Sequence, residues 1–238
     1  MITGWELLVD YGYVDFIFVS KPSAVLMDFI SLLKSGELLA HLSVTLEEVI
    51  LGFAIGTLCG ILLGLLFHWK ENIARVFMPY IYFLYSTPYI ALVPLLILWF
   101  GIDIVLKIIS VVITVAPIMV IQTYEGTRTV DKSFVNLLKS MKFSDHQIIS
   151  KVTFPASLFF IFTGLKIAFG RAMVIAIVAE FQASRIGIGY LIQYSASIFN
   201  TSSVIVGIII TAFISVVAIR LIILLEKYVI KWRPNQNY

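Results

Sequence analysis

Five apolar stretches dominate this chain, at about 42–67, 74–99, 104–123, 158–181 and 204–225. Each reaches the roughly 20 residues that a helix needs to cross a bilayer. In hydrocarbon a peptide group finds partners only along its own helix or within a closed barrel, so runs of this length are expected to be helical. The reading is an all-α polytopic membrane protein with five predicted transmembrane helices. A mean hydropathy of +1.00 and only 13% charged residues exclude an ordinary soluble domain. The net charge of +3 is small and sits in loops, so it speaks for a lipid bilayer and against nucleic acid. Cys59 is the single cysteine, which excludes a disulfide framework or a cysteine metal site within one chain.

One polar island interrupts the apolar runs, from Tyr124 to Ser157, and it holds five of the seventeen Lys and Arg: Arg128, Lys132, Lys139, Lys142 and Lys151. Its charge places it on the cytoplasmic side. Asp131 is a good N-cap, Val130 and Val135 are spaced for a hydrophobic staple, and Phe134, Leu138 and Met141 recur at helical spacing. A second helix opens at Ser144 with an S-x-x-Q capping box completed by Gln147, presents Ile148, Ile149 and Val152, and is expected to end at Pro155. The island therefore reads as helix, tight turn, helix.

This order, closed by Phe154 and Pro155, resembles the EAA loop of ABC-importer permease subunits. The stretches LYSTPYIALVPLLILWFGI before the loop and GLKIAFGRAMVIAIVAEF after it, with the "VD" at Val130 and Asp131, are similar to the nitrate, sulfonate and taurine branch. The likeness runs from Trp5 to Pro234. It implies a type I permease, a coupling helix at Ser144, Asp145, His146, Gln147, Ile148 and Lys151 that docks on a separate ATPase subunit, and ATP bound there and not by this chain. It also implies a second permease copy, in a homodimer, and an extracytoplasmic solute-binding protein. Asn136, Leu137 and Leu138 stand where the family has Glu-Ala-Ala, and Lys142 stands at a family glycine. A lysine with positive φ there costs about 1 kcal/mol. The family also carries one more helix ahead of a stretch like Trp5 to Leu8, which this chain is expected to lack.

Residues 1–41 are net acidic and read as an external or interfacial segment without the pattern of a signal peptide. Within it Pro22 opens a helix placing Val25, Leu26, Phe29, Leu32 and Leu33 on one face, ended by Gly36. A type-1 transmembrane domain is expected over 42–230, with its coupling loop at 125–156, and a cytoplasmic tail over 231–238. The first span carries Gly52, Gly56, Gly60 and Gly64, a face that lets another helix approach closely. The second holds Pro79, Pro88 and Pro94, so it is expected to be broken, with Ser86 and Thr87 hydroxyls meeting freed backbone. Met78, Tyr82, Tyr85 and Tyr89 are expected on one side of it, either as packing residues or as a solute-facing surface. In the fourth span Lys166, Arg171 and Glu180 each require a partner or water, serving either as inter-helix pairs or as gating and solute contacts. The 185–203 stretch is expected to be an outer loop with an apolar GIGYLI insert.

Charge by side tests the topology. With the island inside, cytoplasmic segments hold Lys70, Arg75, the five island residues, Lys227, Lys231 and Arg233, ten in all. The outer segments hold four, Lys21, Lys34, Lys107 and Arg185. That places the C-terminus in the cytosol. His41, His68 and His146 are isolated and read as surface residues, not metal ligands. The chain has no G-x-x-x-x-G-K-[ST] motif, so a non-catalytic subunit is expected. Two functional classes remain: an ATP-driven importer's permease for a sulfonate-, taurine- or nitrate-like solute, or for a pyrimidine vitamin precursor or other aromatic solute, and a stand-alone ion-coupled carrier.

Overall fold

The computed structural model describes residues 2–231, so Arg233, Pro234 and all but the start of the expected tail lie outside the described residues. Within them the chain forms twelve α-helices: α1 (Ile2–Asp10), α2 (Phe16–Val19), α3 (Pro22–Lys34), α4 (Glu37–Trp69), α5 (Glu71–Ser86), α6 (Tyr89–Phe100), α7 (Ile104–Thr127), α8 (Lys132–Ser140), α9 (Asp145–Ile148), α10 (Phe154–Ala183), α11 (Ile188–Ser197) and α12 (Thr201–Val229). A π-helical stretch, Ile149–Thr153, joins α9 to α10. Four helical stretches are long and apolar enough to cross a membrane, and five if α5 and α6 count as one broken span. This agrees with the five expected from hydropathy.

Two compact units divide the chain. One comprises Met1–Gly52, Tyr89–Val111 and Met173–Val216, and the other Phe53–Pro88, Val112–Ala172 and Val217–Tyr238. In the first, Leu38, Ile177, Ile188 and Leu191 form a buried cluster onto which Phe29 and Leu32 of α3 pack. Val25 is buried too, whereas Leu26 and Leu33 remain exposed, so α3 buries a narrower face than its spacing suggests. The second unit gathers Phe67, Ala74, Met78 and Val120.

The α4 glycines set the approach of α7. In the first unit a methyl group on Gly52 would lie 2.5 Å from Val111 Cβ and 2.9 Å from the Ile108 carbonyl oxygen. In the second, methyls on Gly56 and Gly64 would lie 2.9 Å from Val115 Cβ and 2.6 Å from Thr123 Cβ, and one on Gly60 would overlap Met119 Cβ and sit 2.8 Å from the Ala116 carbonyl oxygen. Each distance is below what a real side chain tolerates, so only glycine allows this contact. Val111, Val115 and Met119 are fully buried as a result.

Two expectations about helix ends need correction. Pro155 does not end a helix: it sits in the first turn of α10, where an imide without an N–H is tolerated, and the π stretch before it shifts the hydrogen-bond register. The 185–203 stretch is not a plain loop either, because Ile188–Ser197 is helical and buries Ile188, Gly189, Leu191 and Ser195.

Replacing Gly60 by Val should destabilise the protein by about 1–3 kcal/mol through overpacking against α7. At Gly170 an added methyl group would meet no atom within 4 Å, so Gly170→Ala should be accepted without loss. Thermal unfolding in detergent, comparing the two variants, checks this.

Candidate functional site

Both helix caps expected in the polar island are present. Asp131 caps α8 by accepting from the Ser133 amide at 2.6 Å. The helix then closes in a Schellman motif. The Phe143 amide donates to the Leu138 carbonyl at 3.1 Å and the Lys142 amide to the Lys139 carbonyl at 2.9 Å. Lys142 takes the left-handed position at φ 63°, where Gly is favoured. Ser144 then opens α9 with a complete capping box: its amide donates to Gln147 Oε1 at 2.9 Å, and its hydroxyl accepts from the Gln147 amide at 3.3 Å.

Two links hold the hairpin together. Lys139 and Asp145 pair at 3.1 Å on its exposed side, while Ile148 is buried. Beneath it lies a cleft of about 100 Å³ lined by His68 and Trp69 of α4 with Val135, Lys139, Asp145, Ile148 and Ile149. On its free surface Phe134, Leu137, Met141 and Phe143 are all exposed. Asp145, His146 and Gln147 are exposed as well, as is Lys151.

The proline-rich span breaks between Ser86 and Tyr89. Pro88 has no amide to give the Leu84 carbonyl, and the Thr87 amide takes that carbonyl at 3.0 Å while the Thr87 hydroxyl donates to the Phe83 carbonyl at 2.9 Å. Thr87 thus meets freed backbone as expected, and no such bond is formed by Ser86 among the described contacts. The break corrects the tyrosine stripe. Tyr82 and Tyr85 remain on α5, both exposed, but Tyr89 begins α6 and no longer shares their helix face, and Met78 is buried against Phe67 and Val120.

Charged side chains inside the spans find partners across helices. In the second unit Lys166 Nζ lies 2.9 Å from Glu226 Oε2 of α12. Arg171 is exposed. In the first unit Glu180 is fully buried and accepts from the Thr45 hydroxyl at 2.6 Å and the Gly189 amide at 2.5 Å. The two preceding amides of the same turn are also held, Ile188 by Thr45 Oγ1 at 2.8 Å and Gly187 by His41 Nδ1 at 2.9 Å. Three successive amides at the start of α11 are therefore satisfied by side chains of α4 and α10, and the carboxylate sits where a helix N-terminus favours negative charge. A methyl at Gly187 or Gly189 would collide with Glu180.

Beside Glu180 lies a second buried carboxyl, Glu48, whose Oε1 is 3.1 Å from Lys107 Nζ. Lys107 also donates to Ser184 Oγ at 3.0 Å. This cluster corrects two expectations. Lys107 is 5% exposed and pairs internally instead of standing as an outer-loop charge, and His41 is 7% exposed and accepts a buried hydrogen bond. Among the described residues no group of His, Cys, Asp and Glu is arranged to hold a metal ion.

The family model of the binding-protein-dependent transport system inner membrane component matches residues 56–231, most of the chain. The chain belongs to that family. It is a non-catalytic permease component of the ABC transporter class. A relative in Bacillus subtilis (strain 168), assigned as an aliphatic sulfonates transport permease protein, SsuC, is 33% identical over 235 residues, covering 99% of this chain and 85% of its own. The formylaminopyrimidine transport permease protein ThiX of Halalkalibacterium halodurans is 31% identical, over 91% of this chain and 86% of its own. Inward-facing MetNI methionine ABC transporter shares the fold, with a TM-score of 0.56 at 17% identity over 76% of this chain and 91% of that one.

Sequence reading located Glu180 and Lys166 in the permease because ionisable groups stand out in an apolar run. It missed Glu48 and Lys107 as a pair. They lie 59 positions apart, Glu48 three turns into α4 and Lys107 in the first turn of α7, and only packing brings them together.

Two stability measurements follow for the permease. Lys107→Met should destabilise it by about 3–5 kcal/mol by stranding Glu48, and adding Glu48→Met should recover most of the loss. Lys142→Gly should stabilise it by about 1 kcal/mol by relieving the positive φ. Denaturant unfolding in micelles reads both.

Proposed function

We propose that this permease forms half of the pathway of an ATP-driven importer. It pairs with a second copy of itself and transmits motion through residues 144–151 to separate ATPase subunits that bind the ATP. An extracytoplasmic binding protein delivers the solute, and the C-terminus lies in the cytosol. The observation that carries this reading is the capped α8–α9 hairpin. It is polar, held rigid by two caps and a Schellman turn, and still presents Phe134, Leu137 and Met141 in one exposed helical stripe. An apolar stripe at that spacing on a helix outside the apolar spans suits insertion into a groove on another protein. A carrier working alone would have no use for it.

The transport domain is assigned to 42–230 with the coupling loop at 125–156, after an external segment at 1–41 and before a tail at 231–238. Tyr82, Tyr85, Ser86, Thr87 and Tyr89 around the break, with Lys166, Arg171 and Glu180, are proposed to shape the pathway. The solute is proposed to be a small oxyanion or sulfonate of the sulfonate, taurine or nitrate kind, supported by the likeness to the aliphatic sulfonates permease. A pyrimidine precursor is the second reading, favoured by the likeness to the formylaminopyrimidine permease.

Replacing Ser144 and Gln147 together by Ala removes the α9 cap, worth about 1 kcal/mol. In proteoliposomes holding the whole complex, the stimulation of ATP hydrolysis by loaded binding protein should fall at least tenfold while the permease remains inserted. Uptake by the permease alone, without ATP, would instead establish an ion-coupled carrier.

A further inference from the structure

Between α9 and α10 the backbone leaves the α register. Ile149–Thr153 is π-helical, and the Phe154 amide donates to the Ile149 carbonyl, five residues back. Single π turns inside α-helical runs are rare and occur frequently at functional sites.

Each register leaves one group badly placed. With an α-helical turn here, α9 and α10 would form one helix with Pro155 in its interior, where a proline ring presses on the carbonyl four residues back, that of Lys151. The wider π turn relieves that clash. It also strands Thr153, whose side chain is fully buried and whose Oγ1 has no hydrogen-bond partner among the described residues. Hydroxyls on either side of it do bond to the helix, Ser150 to the His146 carbonyl and Ser157 to the Phe154 carbonyl, each at 2.8 Å. The carbonyl four residues back from Thr153 is that of Ile149, which carries the Phe154 amide instead. In an α-helical turn the Thr153 hydroxyl can bond it. A buried hydroxyl without a partner is costly, and folded proteins seldom leave one so.

The segment ahead of the turn is built to move as one piece. The Schellman turn and the Lys139–Asp145 pair at 3.1 Å join α8 to α9. Within α9 only Ile148 is buried, and the cleft of about 100 Å³ that it shares with His68, Trp69 and Val135 leaves space beside it.

We propose that Ile149–Thr153 is a two-register hinge. The π turn present here exchanges with an α-helical turn that gains the Thr153 bond and accepts the proline clash, and the exchange turns the α8–α9 hairpin about the axis of α10. One residue of register corresponds to about 100° around a helix, so even part of the change re-aims the exposed face of the hairpin. The proposal rests on the reading of α9 as the element that meets the ATPase subunits. It adds how their movement becomes rotation against a membrane span: closure of those subunits on ATP favours the α register.

The test uses the complete permease–ATPase complex in lipid nanodiscs, in a Cys59→Ala background with spin labels at Ser140→Cys on α8 and Ile167→Cys on α10, both exposed positions. Double electron–electron resonance should give one distance without nucleotide and a second when ATP is trapped with vanadate. Pro155→Ala removes the clash and should populate the second distance several-fold more without nucleotide. Thr153→Val removes the bond gained only in the α register and should reduce the second population several-fold in the trapped state. Because that hydroxyl is unpaired in the π register, Thr153→Val should leave the unfolding temperature of the nucleotide-free complex unchanged or raise it. A distance that trapped nucleotide leaves unchanged, or that neither substitution shifts, overturns the hinge in a complex that assembles and hydrolyses ATP. A lowered unfolding temperature in Thr153→Val overturns it too. Failure of the chain to assemble with ATPase subunits overturns the permease reading itself, and with it this proposal.

Discussion

The contact that most of the structure depends on is the close approach of α4 to α7 along Gly52, Gly56, Gly60 and Gly64. Apolar side chains gain little from leaving lipid for one another, so membrane helices are held by close fit and by hydrogen bonds. A face without Cβ atoms lets Val111, Val115 and Met119 press onto the α4 backbone and bury completely. The same α7 accepts α10 in the second unit, where a methyl on Gly164 would lie 3.0 Å from Gln122 Cβ.

Part of the buried polar chemistry serves backbone groups that would otherwise go unsatisfied. At the start of α11 three amides lack helical partners, and Glu180, Thr45 and His41 take them. At the α5–α6 break Thr87 supplies both an amide and a hydroxyl. These bonds fix turns whose geometry apolar packing alone would leave loose. The Glu48–Lys107 and Lys166–Glu226 pairs differ in kind, because each joins side chains of two different helices.

The α8–α9 hairpin shows the opposite economy. Its order comes almost wholly from local bonds, two N-caps and a Schellman closure, with little burial beyond Ile148. A segment stabilised in this way can present apolar side chains to a partner without needing them for its own fold. Lys142 holds the left-handed position at a cost of about 1 kcal/mol, which the surrounding bonds offset.

Local features were legible in the chain itself. The spans, both caps, the glycine face and the break near Pro88 each follow from residues within a few positions of one another, where covalent geometry and helical spacing act directly, whereas the positive φ at Lys142 is suggested only by the glycine that the family carries there. The partners of Lys166 and Glu180, and the Glu48–Lys107 pair, could not be read that way. They join residues 60, 135 and 59 positions apart, and a charged side chain in a span looks the same in sequence whichever distant helix supplies its partner. Likewise Tyr89 kept its helical spacing in the sequence and lost its shared face only because the chain breaks at Thr87 and Pro88. The sequence by itself determined the five spans and the starts of α3, α8 and α9, since those depend on neighbouring residues, but not the helix at Ile188–Ser197. Tertiary structure alone decided which charges meet, because that depends on how helices distant in the chain come to lie side by side.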